Sequence, residues 1–73
     1  HPREVFCYAV KYFAFQIILA HNHPSGDPEP SGNDIIVTKR FIEAGKILQI
    51  EVVDHVVIGH NGYVSIGERM KRI

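Results

Sequence analysis

His21–Asp34 reads HNHPSGDPEPSGND, and the reading of this run decides the fold. It holds three of the chain's four prolines and two of its six glycines, so it is a loop rather than a regular element. Just before it, Gln16-Ile17-Ile18-Leu19-Ala20 is a short apolar run of the kind that forms a buried strand. Just after it, Asp34, Val37, Thr38, Phe41, Ala44, Gly45 and Leu48 recur at helical spacing, which predicts a helix over about Asp34–Leu48 with that stripe facing inward. Strand and helix flank the loop and hold it.

The loop also carries chemistry. Residues two apart on a strand share one face. If the strand reaches His21–His23, both imidazoles point the same way and can chelate one metal ion. Asp34 is a third ligand if the loop folds back. Two histidines and one carboxylate form a set known from catalytic zinc sites, where the fourth position is left for water. Zinc acidifies that water towards a hydroxide nucleophile. A closed structural site would need four ligands, usually including cysteine, and the chain has one Cys. Ser31 and Asp34 have a plainer reading as a capping box, with Ser31 as N-cap and Asp34 at N3. Asp34 also opens the apolar stripe, where an unpaired carboxylate is costly. A metal, a cap or a salt bridge would each relieve that cost.

The spacing His21-x-His23, seven residues, Ser31, two residues, Asp34 resembles the JAMM motif of the MPN/JAB domain family. The whole string HNHPSGDPEPSGND resembles the RadC branch of that family, as do Thr38 four residues on, the pair Asp54-His55, the opening Pro2-Arg3-Glu4, and Ile18-Leu19-Ala20 leading into the histidines. The resemblance covers nearly the whole chain. It implies an α/β (α+β) fold of the cytidine-deaminase-like type, incomplete here, with a small mixed sheet packed by two helices. It implies Zn²⁺ on His21, His23 and Asp34, with Ser31 holding the water or the developing oxyanion and Thr38 and Asp54 supporting the ligands. The implied activity is amide or isopeptide hydrolysis on an unknown protein or peptide substrate, and the branch is named for DNA repair.

JAMM hydrolases draw their general base from a glutamate on a strand upstream of the histidines. Glu4 falls in a helix start that follows the place of that strand, so the role is not carried onto it. Residues 1–73 are therefore expected to form the C-terminal portion of a single RadC-like domain. Loss of a general base typically removes about 10²–10⁴ in rate. The alternatives are an inactive MPN-type interaction or scaffold module, or a DNA-repair accessory protein.

Composition sets further bounds. Seventy-three residues allow one small domain with a marginal core. Eight basic residues balance eight acidic ones, which speaks against nonspecific nucleic-acid binding. Lys39-Arg40 and Arg69-Met70-Lys71-Arg72 are small basic clusters on a solvated surface. No apolar run is long enough to cross a membrane. The lone Cys7 fits a reducing cytoplasm and, on the first helix, reads as a small buried hydrophobe.

Residues 3–14 read as that helix, with Pro2 and Glu4 at its start, His1 frayed, and Val5, Phe6, Ala9, Val10 and Phe13 as its apolar stripe. Tyr8 and Tyr12 are expected half-buried on its flank. Asp27 and Glu29 read as solvated loop charges near the metal, with a substitute ligand or base as the alternative. Glu51–Ile58 reads as a central strand interrupted by Asp54 and His55. His55 is expected to be a satisfied core or surface histidine, or else to orient a ligand; Asp54, set among valines, is the residue of the pair singled out for the supporting role. Asn61-Gly62 signals a type I′ hairpin with His60 exposed beside it, returning through Tyr63–Ile66. Residues 67–73 read as a polar tail with one helical turn. An exposed sheet edge would favour a homo-oligomer.

Overall fold

The computed structural model describes residues 1–71; the expected tail residues 72 and 73 lie outside them. The elements run α1 (Pro2–Lys11), β1 (Gln16–Asn22), α2 (Gly32–Leu48), β2 (Glu51–Ile58), β3 (Tyr63–Ser65) and α3 (Ile66–Met70). The sheet order is β1-β2-β3, with β1 parallel and β3 antiparallel to β2. The architecture is thus the mixed α/β sheet expected, with β2 central and a third helix added.

β1 alternates strictly, with Gln16, Ile18, Ala20 and Asn22 exposed and Ile17, Leu19 and His21 turned inward. Its pairing with β2 is irregular at one point: Ile17 faces Val52, but Ile18 faces Asp54. Val53 is the extra residue of a bulge, which shifts the inward set by one. Val52, His55 and Val57 are buried, opposite Ile17, Leu19 and His21.

The helices cover this inner face. Phe6 and Ala9 of α1 join Phe41 of α2, Ile50 and Val52 in the core, with the Phe6 and Phe41 rings 5.9 Å apart. On α2 the inward stripe is as read from Asp34 to Gly45, but Leu48 is half exposed. Gly45 is needed where α2 meets the turn into β2: a Cβ there would collide with the carbonyl oxygen of Ile50.

Several local expectations are corrected. α1 ends at Lys11, not residue 14, and Phe13 takes the left-handed conformation (φ 55°) that helix ends usually assign to glycine. Phe13 is therefore turned out and 87% exposed, and Val10 is 54% exposed. Cys7 is exposed, because the buried face of α1 is set by Phe6 and Ala9. Tyr8 and Tyr12 are likewise exposed. His1 is not frayed: its Nδ1 caps α1 by accepting from the Arg3 amide at 3.3 Å.

The β2–β3 connection is the four residues Gly59–Gly62, closed by the Gly59 amide donating to the Gly62 carbonyl at 2.8 Å. Asn61 has a negative φ, so the turn is not type I′, which needs φ > 0 at both central residues. Nor is the segment after β3 merely polar. Ile66 is fully buried, and Asp54 receives the Ser65 hydroxyl (2.7 and 2.9 Å) and the Gly67 amide (3.0 Å), fastening the start of α3 to β2.

Gly45→Ala separates two effects of opposite sign. Helix propensity alone would stabilise the chain by about 1 kcal/mol. The collision with the Ile50 backbone should dominate and cost about 1–3 kcal/mol, read as a lower urea midpoint at unchanged m-value.

Candidate metal centre

Three elements bring the cluster together. β1 extends two residues past Ala20, so His21 is its last inward residue. His23 lies just beyond the strand end, where its amide donates to the Ile58 carbonyl at 3.0 Å and prolongs the pairing with β2. The two rings are 5.0 Å apart. Asp34 enters from the first turn of α2. Ser31 is the N-cap, and the capping box is complete: Ser31 Oγ accepts from the Asp34 amide at 3.1 Å, and Asp34 Oδ2 accepts from the Ser31 amide at 2.8 Å.

His21, His23 and Asp34 each turn one ligand atom to a common point, all within 4.8 Å of one another. His23 Nε2 lies 2.9 Å from Asp34 Oδ2, and His21 Nε2 lies 3.4 Å from Oδ1. Asp34 is 15% exposed, His23 19% and His21 34%, so the cluster is open on the His21 side.

The donor chemistry fits a cation. His23 Nδ1 lies 2.9 Å from the Asp27 carbonyl oxygen, which has no hydrogen to give, so Nδ1 must donate. A neutral His23 then directs the lone pair of Nε2 at a carboxylate oxygen. Two acceptors at 2.9 Å repel unless a proton or a metal ion lies between them. Asp27 thus contributes its main chain; its carboxylate accepts the Glu29 amide at 3.0 Å. Glu29 is bound by Arg69 through two hydrogen bonds of 2.7 and 3.2 Å. That contact holds the Glu29 carboxyl below its ordinary pKa. The loop is pinned again at Gly26 (φ 85°), whose carbonyl accepts the His60 amide at 2.8 Å and over which the His60 ring lies. A side chain at Gly26 would strike that ring.

Behind the cluster stand Thr38 and His55, 0% and 6% exposed. His55 Nε2 is 2.9 Å from His21 Nδ1, and His55 Nδ1 is 2.6 Å from Thr38 Oγ1. Thr38 Oγ1 is in turn 2.7 Å from the Asp34 carbonyl oxygen. Asp54, expected to support the ligands, is not there. The bulge at Val53 turns it to the opposite face, where it binds Ser65 and Gly67, and gives its expected place to His55. The pattern of β2 could not show this, since a bulge leaves no mark in a run of valines.

A parallel βαβ unit with one histidine near the end of its first strand and another just beyond it, met by a helix-capping aspartate, defines a candidate metalloprotein of mixed α/β architecture. The chain belongs to the family of RadC-like JAB domains, whose family model matches residues 1–72. It is 62% identical over 69 residues to a UPF0758 protein of Alkaliphilus metalliredigens, which covers 94% of this chain and 30% of that relative. It is 62% identical over 68 residues to a UPF0758 protein of Alkaliphilus oremlandii (93% and 29%), and 58% identical over 69 residues to one of Pelobacter propionicus (94% and 30%). The chain therefore spans about a third of the length of these relatives. Among the described residues, no helix is long and apolar enough to cross a membrane.

Burial raises the pKa of the Asp34 carboxyl, but the Ser31 hydrogen bonds, His23 and the nearby His21 outweigh it and hold it below its ordinary value. Burial, followed by the charge of His21, lowers that of His55 against the opposing pull of Asp34 and Asp54. In metal-free protein the two give losses in separate windows. Below pH about 6.5 the unfolded chain protonates at His55 before the folded one, so stability falls. Stability due to Asp34 is present above pH about 3.9 and is lost as pH falls through its lowered folded value. Urea midpoints across this range should show both declines, and Asp34→Asn should make the acid decline smaller while the His55 decline persists.

Proposed function

We propose that the chain carries a zinc centre of the JAMM type and serves hydrolysis of an amide or isopeptide bond in a protein or peptide. The observation that supports this most is the convergence of His21 Nε2, His23 Nε2 and an Asp34 carboxylate oxygen on one point. Three such donors leave room for a fourth, the arrangement of catalytic rather than structural zinc. When bound, zinc would polarise a carbonyl and acidify the water it holds.

The chain's own residues do the rest. The two histidines and Asp34 hold the cation. The main-chain amide of Ser31 fixes Asp34, and the exposed Ser31 hydroxyl stands beside the cluster to orient water or the developing oxyanion. The metal-ligating cluster of the described residues contains no glutamate, and Glu29 in the same loop is engaged by Arg69. The general-base role is therefore assigned to none of these residues. Work on DNA damage, suggested by the RadC name, would come through the substrate; a neutral overall charge gives little footing for direct binding to nucleic acid.

A non-catalytic interaction module is the second reading, favoured by one observation. Phe13, Phe15 and Ile47 are each more than four-fifths exposed, an apolar display suited to a protein surface or to a second copy.

The purified protein should contain close to one equivalent of zinc at neutral pH, and His23→Ala should lose it. Hydrolysis of model isopeptides should vanish with the metal. Wild-type protein that takes up no zinc at neutral pH would rule out the metallohydrolase. Full metal loading without turnover, in protein that also carries the general base, would favour the interaction module.

A further inference from the structure

We propose that Thr38 and His55 are positioning residues that hold His21 as its Nδ1–H tautomer, so that its Nε2 lone pair faces the cation site before any cation arrives. This rests on the metal-centre reading above and says what Thr38 and His55 do within it.

The direction of each hydrogen bond is forced from one end. The carbonyl oxygen of Asp34 carries no hydrogen, yet Thr38 Oγ1 lies 2.7 Å from it. At that distance the threonine hydroxyl must donate to the carbonyl. Its single hydrogen is then used, and Thr38 Oγ1 meets His55 Nδ1 at 2.6 Å as an acceptor. His55 is therefore protonated at Nδ1. Buried and neutral, it presents a bare Nε2 to His21. His21 Nδ1, 2.9 Å away, must donate to it. The proton of neutral His21 thus resides on Nδ1, and Nε2 keeps its lone pair, 3.4 Å from Asp34 Oδ1.

The path begins at the main chain of Asp34 and returns to its side chain. One residue at the start of α2 both supplies a ligand atom and fixes, through two intermediaries, the tautomer of another. His23 has a shorter version of the same device, with the Asp27 carbonyl acting directly on its Nδ1. His21 sits on a strand, and the partner of its Nδ1 is a side chain, the His55 ring. Partners that hold the far nitrogen of a ligand histidine typically change metal affinity by 10–100-fold when removed.

The experiment uses the protein as the cell makes it, with histidine tautomers read by ¹H–¹⁵N long-range correlation in metal-free samples and zinc affinity read by competition with a chromophoric chelator. In the wild type, His21 is expected as Nδ1–H. Thr38→Val, which keeps the shape and removes the hydroxyl, should turn His21 into a tautomer mixture and weaken zinc binding about 10–100-fold. Thr38→Ser, which restores a hydroxyl, should recover both.

An Nε2–H or mixed His21 in the wild type overturns the proposal by itself, even if Thr38→Val does not fold. A Thr38→Val protein with wild-type tautomer and wild-type affinity overturns it equally. An ordered Nδ1–H His21 that Thr38→Val disorders, in a protein that takes up no zinc, sustains the tautomer lock and overturns the metal centre instead.

Discussion

The site depends on one irregularity in one pair of strands. Because Val53 is bulged out, the inward positions of β2 run Val52, His55, Val57 instead of keeping strict alternation. A regular register would set Asp54 against the cluster and His55 outside it. A carboxylate behind His21 would be a second negative charge within a few ångströms of Asp34, in a place almost closed to water. The bulge installs a neutral ring there and moves the acid to the other face, where it caps a helix.

The same economy governs Asp34. As the N3 residue of a capping box it is fixed by the Ser31 amide and so needs no side-chain partner of its own to hold its angle. The N-terminal end of α2 favours its negative charge. The proline-rich loop does not reach the cluster unaided either. It is tied to β2 through His23, to the Gly59–Gly62 turn through Gly26, and to α3 through Glu29 and Arg69. Ser31-Asp34 is therefore a helix cap and Asp34 a member of the cluster at once. The cap is what aims the carboxylate.

Much of this was legible in the residues. The strand–loop–helix order followed from an apolar run, a cluster of prolines and a helical stripe, and the spacing of His21, His23 and Asp34 was enough to single them out as one group. The central place of β2 followed from its β-branched residues. What stayed hidden were features that depend on register or on backbone sign. The exchange of Asp54 for His55 turns on a bulge within Val-Val. The outward turn of Phe13 follows from a left-handed residue that no glycine announced, and the exposure of Cys7 follows from which side of a short helix met α2. Asn61-Gly62 gave the position of a turn but not its type, since the four-residue connection leaves Asn61 outside the left-handed region. The role of α3 was missed because Ile66 and Gly67 carry its burial, while the polar residues around them dominate the composition.

The bond between Arg69 and Glu29 joins residues forty positions apart. During synthesis at about 5–20 residues per second, some 2–8 s separate the appearance of the two. For most of that interval His21, His23 and Asp34 have emerged, while the helix that ties down their loop has not. The loop gains its tie to α3 only after a short helix that lends no residue to the cluster has been made.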